Sequence, residues 1–442
     1  YTLFVAGYSW YKLRKEKLNS HEGYFLGGRS LTGVVIAGSM LLTNISTEHL
    51  IGMNGSSYKN GFIIIAWEVT SALALILTAV YFVPKYLKMG LTTIPQFLEN
   101  RFDGFTRSLV AFFLMISFIV TLLPIVLYTG AINLESIFNV SELLGVSQTQ
   151  GMNYTIWAIG LVGSLYAIFG GLKAVAVSDT LNGYGLLVGG LAIPFIALVS
   201  IGEGNPLEGL SFVYRNAPEK FNVIGAKDSV MPFEVLFTGL IINQIYFWCM
   251  NQMIIQRAFG AKNLKEAQKG LLFTGLLKIL VPLIIILPGV IGFYYFGDLY
   301  YDRQDMIYPE LIKKVLPAGI VGVFAAIVMG AVLSTFNSVL NSAATIFSID
   351  IFKRHINPEI SDGRLVKIGK ITSAVLAIFA IVVAPMVANA PDGLYQLLQQ
   401  LNGIFFIPIA SIMLAGFFLP YYFFFFPKNF LISFQVKPAL KF

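Results

Sequence analysis

The residues Thr43-Asn44-Ile45-Ser46-Thr47-Glu48-His49 place a carboxylate, an imidazole and several small polar side chains midway along an apolar segment from Leu31 to Met53. A segment of that length can cross a bilayer, which takes about 20 residues. A single central carboxylate costs roughly 2.5–3.5 kcal/mol on insertion scales, so such a cluster persists only where it faces a protein interior or a watered cavity. Backbone that leaves helical geometry at that depth is tolerated on the same condition. Its freed carbonyls can hold a cation near the bilayer midplane. The plainer alternative is a polar contact between helices of a structural bundle. A stretch with Ile45 as its one strongly apolar residue is hard to hide in that way.

Other polar groups recur inside apolar segments. Glu68 is followed one helical turn on by Ser71, so both share a face. Lys278 stands among Leu276, Leu277, Ile279 and Leu280. Buried together, an anion and a cation moderate each other's cost. They suit a common cavity, a purely structural ion pair is the alternative, and Lys278 alone could snorkel toward the cytoplasm. Asn243, Gln244, Tyr246, Phe247, Trp248, Asn251 and Gln252 set amides beside aromatic faces. Amides pair with hydroxyls and rings pack on C–H faces, a combination that suits a polyhydroxylated ring. It equally suits an interfacial aromatic belt with amide bonds between helices. Positions 334, 338, 341, 342 and 345 carry Ser, Ser, Asn, Ser and Thr on one helix face, beside Thr335 and Asn337. Hard oxygen ligands of this kind suit an alkali cation when joined to the carbonyls of a broken helix. Hydroxyl back-bonding with close packing is the alternative.

The elements that must carry these groups read as ten apolar spans. The first is Leu31–Met53 and the second Phe62–Val83. An amphipathic segment, Thr92 to Phe102, leads to the third, Ser108–Ile137. The fourth is Ile156–Gly170, and the fifth starts at Ala174 and ends near Ile201. The sixth is Phe233–Ile255, with Arg257 in the basic loop behind it. Leu271–Phe296, Gly319–Phe347, a segment ending near Ala388, and Gly403–Pro420 complete the set. Lys and Arg concentrate in alternate loops: Lys12, Arg14, Lys15 and Lys17, then Lys85 to Arg107, Arg257 to Lys269, and Lys353 to Lys370. Such loops stay cytoplasmic. The first span then runs outward and the sixth inward, as two five-span units in opposite orientation require. The expected division is 1–30 as the end of an extra N-terminal helix with a basic loop, 31–201 as the first unit, 202–229 as an extracellular loop, 230–420 as the second unit, and 421–442 as an atypical tail.

Composition bounds the function classes. Of 442 residues 56% are hydrophobic and 12% charged, and the mean hydropathy is +0.75. Soluble proteins carry roughly 25% charged residues, so the chain reads as a polytopic membrane protein. Its formal charge of +7 then reports topology rather than a nucleic-acid partner. One cysteine excludes an internal disulfide, and three histidines are too few for a metal-enzyme centre beyond the Glu48-His49 pair. No nucleophile–base pair or phosphate loop suggests an enzyme. Leu3–Trp10 is too short to span and reads as the end of a truncated helix rather than a signal peptide.

Several stretches resemble the sodium:solute symporter family, and within it the sodium/sugar branch. They are Asn44 to Gly52, Thr93 to Phe102, Tyr166 to Val175, Trp248 to Arg257 and Leu340 to Thr345. The resemblance runs to about Phe418. It implies an all-α membrane fold, the inverted repeat of two five-helix units known from the bacterial leucine transporter, with an extra partial helix at the N-terminus. It implies a sugar pocket at His49, Glu68, Ser71, Gln244, Lys278 and Gln399, with Phe247 and Trp248 as its aromatic floor. It implies a sodium site built from backbone oxygens of Leu42, Ile45 and Ala331 and the hydroxyls of Ser334 and Thr335, with Asp179 and Asn44 at coupling positions. His49 stands where the best-known bacterial galactose carrier has Gln, though animal sugar carriers resemble this chain there; Gln244 replaces an Asn, and Phe247 lacks the hydroxyl of the family's Tyr. The tail Tyr421–Phe442 does not resemble the family's continuation and is assigned no role.

The expectation is therefore a multi-pass transporter of the plasma membrane that couples entry of a hexose, galactose or glucose, to sodium by alternating access. Its partners are a small sugar, sodium and the lipid bilayer, without nucleic acid. Inositol, sialic acid or proline as solute, or a membrane module that senses a solute without moving it, are the alternatives.

Overall fold

The computed structural model describes residues 2–14, 18–46, 48–389 and 394–419. Lys15, Lys17, Thr47, Pro420 and the tail 421–442 fall outside them. The described chain is helical, with a single β-bridge between Leu31 and Ala261. Among the described residues, seven helices are long and apolar enough to cross a membrane, and an eighth span follows if the pair Leu264–Lys278 and Val281–Phe296, bent by 47°, is taken as one. A short N-terminal helix, Thr2–Leu13, precedes them and buries Val5 and Ser9.

Span one escapes the length criterion because it is broken. Its inner half is the helix Gly33–Asn44, which leaves helical geometry at Ile45 (φ −87°, ψ 77°). It resumes as a wide turn, His49–Met53, and the helix Asn54–Asn60. Where the ladder stops, carbonyls lose the N–H donors that a continuous helix would supply. Asn54 Nδ2 compensates at Leu50 O (2.6 Å), and Ser57 Oγ ties the outer half to Ile286 O of span seven (2.9 Å). The outer half ends at Gly61, whose φ of +75° favours glycine, and where a Cβ would lie 2.3 Å from Lys220 O. Span two then runs through Ala66–Leu77, Thr78–Phe82 and Val83–Lys88.

Span six is broken in the same manner. The helix Gly239–Ile245 and the turn Tyr246–Met250 give way at Asn251 (φ −76°, ψ 123°), and Gln252–Phe259 continues below. The Asn251 side chain caps that inner half by accepting from Met253 N (3.0 Å). Arg257, expected in a loop, lies within this inner half and is fully buried. The bridge joins the entry of span one to the exit of span six: Leu31 N donates to Gly260 O (3.0 Å) and Lys262 N to Leu31 O (3.0 Å).

The other spans form the scaffold. Gly104–Ile116, Ser117–Leu122 and Leu123–Phe138 make span three. The helix Gln148–Ile201 holds spans four and five, bent at Gly171 (φ +56°), where a Cβ would meet Tyr24 O at 2.5 Å. Span eight is Ala318–Ile346 continued by Phe347–Ile356, and span nine is Asp362–Val383. Span ten is Leu394–Phe418, whose described start lies nine residues before the expected Gly403. Its added turns carry amide side chains that depress local hydropathy without disfavouring a helix.

At the ends that carry the basic loops, the helix Ile94–Arg101 begins with a capping box between Thr93 and Gln96. Its Glu99 pairs with Arg107 of span three and Arg354 of span eight, and Arg107 also pairs with Asp350. At the opposite ends, the expected loop 202–229 contains a helix, Pro206–Asn216. Beyond it, Lys220 turns inward. Its Nζ donates to Tyr58 O (3.0 Å), Lys59 O (2.7 Å) and Tyr301 Oη (3.0 Å), and lies 4.2 Å from the centre of the Phe293 ring. These carbonyls end the outer half of span one, where a cation is favoured. Burial lowers the Lys220 pKa from its ordinary value.

Candidate functional site

The two breaks face one cavity. Its wall includes His49, Glu68, Ser71, Gln244, Phe247, Trp248, Lys278 and Gln399, together with Asn44. Residues from spans one, two, six, seven and ten thus meet around one cavity.

Several wall groups are fixed by their neighbours. Lys278 ends the helix Leu264–Lys278, where the last carbonyls favour a cation. Its ammonium donates to Glu68 Oε2 and to Asn44 Oδ1, and lies 5.5 Å from the centre of the Trp248 ring. Ser71 Oγ is spent on Glu68 O. Gln244 Nε2 donates to Trp67 O (2.8 Å), while Gln244 Oε1 accepts from Trp248 Nε1 (3.0 Å), which fixes the indole. Phe247 stands edge-on to that indole with 5.2 Å between centroids. The cavity therefore offers a carboxylate, an ammonium, amides and aromatic faces, and its outer side shares Trp67 and Gln399 with a larger vestibule beneath the outer loops.

Sequence reading passed over Trp67 and Asn402, which also line the wall. Asn402 Oδ1 is buried without a hydrogen bond. The readable signal was its place three residues after Gln399, on the same face of a helix.

None of the residues expected around sodium lines this cavity: Thr335 meets its wall through Thr43, and Ser334 lines a separate small pocket with Ser178, Asn182 and Asn337. Thr335 Oγ1 donates to Thr43 O (3.3 Å), and Thr43 and Ser338 share a hydroxyl–hydroxyl bond of 3.1 Å. Ser334 Oγ is buried beside the Asp179 carboxylate but makes no hydrogen bond of regular geometry. Leu42 and Ile45 flank the break, so their carbonyls are placed to turn outward from the helix ladder. Ala331 lies inside the regular helix Ala318–Ile346, and its oxygen has only a second lone pair to offer. Asp179 accepts from Ser39 Oγ (2.8 Å) and pairs with Arg257 Nη2 (3.4 Å). An orphaned hydroxyl, a nearby carboxylate and a broken helix are a donor set for a hard monovalent cation.

The profile of the sodium:solute symporter family matches residues 24–421. The uncharacterized symporter YidK of Escherichia coli is 46% identical over 420 residues, covering 95% of this chain and 73% of that protein. The chain belongs to the sodium:solute symporter family. A sodium/glucose cotransporter of Vibrio parahaemolyticus is 33% identical, with 95% and 79% of the two chains covered. A bovine sodium/myo-inositol cotransporter is 30% identical, and the match spans 62% of its length. Among solved structures, a Na+-coupled sialic acid symporter in a substrate-bound outward-open state superposes with a TM-score of 0.81 at 22% identity, over 95% of this chain and 85% of that one. The fold is thus the leucine-transporter type. As a sodium:solute symporter the protein is a multi-pass transporter of the plasma membrane rather than an enzyme, and it couples a small solute to sodium.

Proposed function

We propose that the solute of this sodium:solute symporter is a hexose, galactose or glucose. The observation that carries this reading is the convergence of Glu68, Lys278, Gln244, Gln399 and the Trp248 indole on one cavity. A carboxylate accepts from sugar hydroxyls, an ammonium donates to them, an amide does both, and ring C–H faces pack on aromatic groups. Lys278 is already engaged by Glu68 and Asn44, which leaves it poorly placed to neutralise an anionic solute such as sialic acid. The 33% identity to a sodium/glucose cotransporter supports the same class.

Sodium binds, in this reading, at the carbonyls of Leu42, Ile45 and Ala331 and the hydroxyls of Ser334 and Thr335, and it stabilises the outward-open form. The solute then binds between His49, Glu68, Ser71, Gln244, Phe247, Trp248, Lys278 and Gln399, and closure exposes both to the cytoplasm. Asp179 and Asn44 link the two sites. The units 31–201 and 230–420 move as inverted repeats, a division supported by matching breaks at Ile45 and Asn251. One charge crossing 100 mV supplies roughly 2.3 kcal/mol, apart from the sodium gradient.

The test is uptake of labelled galactose, glucose, myo-inositol and proline into proteoliposomes, with and without an inward sodium gradient. Sodium-dependent uptake of a hexose, competed by the other hexose, is expected. Uptake of proline alone would overturn the sugar class, and preference for inositol would move it to a cyclic polyol.

A further inference from the structure

Arg257 belongs to no part of the solute cavity, yet it is fully buried and touches four spans. Its Nε donates to Ser39 Oγ of span one (2.8 Å), and its Nη2 faces Asp179 Oδ2 of span five (3.4 Å). The same Nη2 donates to Ser338 Oγ of span eight, and Nη1 donates to Met253 O at the start of its own helix. Ser338 in turn bonds Thr43, and its hydroxyl donates to Ser334 O (2.7 Å). One guanidinium is therefore a single bond removed from both sides of the inferred sodium site: the span-one break and the hydroxyl stripe of span eight.

The neighbouring amides on this half-helix extend the fastening toward the cytoplasm. Gln256 Nε2 donates to Phe25 O and Thr345 Oγ1, both at 2.9 Å, and Gln252 Oε1 accepts from Ile94 N (2.8 Å). The helix Gln252–Phe259 is thereby tied to the chain that enters span one, to span eight and to the helix Ile94–Arg101. Fold stability alone gives little reason for the central ion pair, because well-packed apolar groups commonly replace a buried pair at no loss.

We propose that Arg257 is a positioning residue that latches the inner half of span six while sodium is bound. Sodium at Ile45, Ser334 and Thr335 holds Thr43 and Ser338 in register with the guanidinium. Departure of the ion lets that register slip and frees the helix. The proposal rests on the sodium site described above but on no particular solute.

The experiment measures radiolabelled sodium binding to the purified symporter and solute-free sodium efflux from proteoliposomes. Arg257→Gln is expected to bind sodium yet leak it about tenfold faster than the parent without solute, a change within the usual range of coupling between sites. Arg257→Lys, which keeps a charge opposite Asp179, is expected to restore most of the tightness; a merely structural role predicts neither the leak nor the rescue. Arg257→Gln protein that binds sodium and leaks no faster than the parent overturns the proposal. Should that variant fail to reach the membrane, Ser39→Ala with Ser338→Ala removes two of the latch's partners and carries the same expectation, and parental efflux in it is equally fatal. A parent that binds no sodium overturns the site itself, whereas a failed sugar assignment leaves these sodium measurements untouched.

Discussion

The ammonium of Lys278 on span seven pairs with the carboxylate of Glu68 on span two, and both are at most 2% exposed. The same ammonium also donates to Asn44 at the end of span one's inner half, so the pair is braced by the break itself. It is at once a structural ion pair and part of the cavity wall. The two alternatives left open by the sequence are thus not exclusive.

Substitutions at this pair separate its two roles. Lys278→Ala leaves a buried carboxylate without its cation and should destabilise by about 3–5 kcal/mol, whereas Glu68→Ala with Lys278→Ala should be milder because no charge is stranded. Thermal unfolding of the purified variants reads this difference. Uptake should be lost in all of them, and Glu68→Gln should hurt less than Glu68→Ala. Parental uptake by the double variant would remove both residues from the solute site.

Ser334→Ala with Thr335→Val removes the adjacent hydroxyls of span eight while preserving side-chain bulk. Sodium-driven uptake should fall to background with normal membrane levels of the protein. Unchanged sodium dependence in this variant would relocate the ion.

Phe247→Ala should weaken solute retention by about 0.5–1.5 kcal/mol, the range for a lost aromatic partner. Phe247→Tyr should be mild. Equilibrium binding is the measurement, and parental affinity in the alanine variant would show that the ring only packs.

Acid sensitivity should be written partly in Glu99. Burial alone would raise its carboxyl, but hydrogen bonds and charge from Arg107 and Arg354 outweigh that and hold it below the ordinary value. A carboxylate depressed in the folded state contributes stability above its unfolded pKa and loses it as pH falls through the folded one. Glu99→Gln should therefore flatten the decline in melting temperature between about pH 5 and pH 3. An unaltered pH profile would show that the cluster is too well solvated to matter.

Much of this arrangement was legible because depth makes polar groups conspicuous. Thr43 to His49 announced the break in span one, and isolated charges at Glu68 and Lys278 announced the cavity. Other parts were hidden by the same logic. Arg257 stands just before the basic residues Lys262, Lys265 and Lys269, and so read as one more cytoplasmic charge. Only the fold reveals that its partners Ser39, Asp179 and Ser338 converge on it from three other spans. The start of span ten was obscured by Gln396, Gln399 and Gln400, amides that lower hydropathy yet sit comfortably in a helix. Asn402 was lost with it.

The inward turn of Lys220 has a consequence for pharmacology. Two of its hydrogen bonds bind the outer loop to the top of span one, so that half-helix cannot tilt without carrying the loop along. An antibody fragment gripping the exposed helix Pro206–Asn216 would then act as a brake at a distance. It should lower the maximal transport rate while leaving half-saturation by solute unchanged, and Lys220→Met should release the brake.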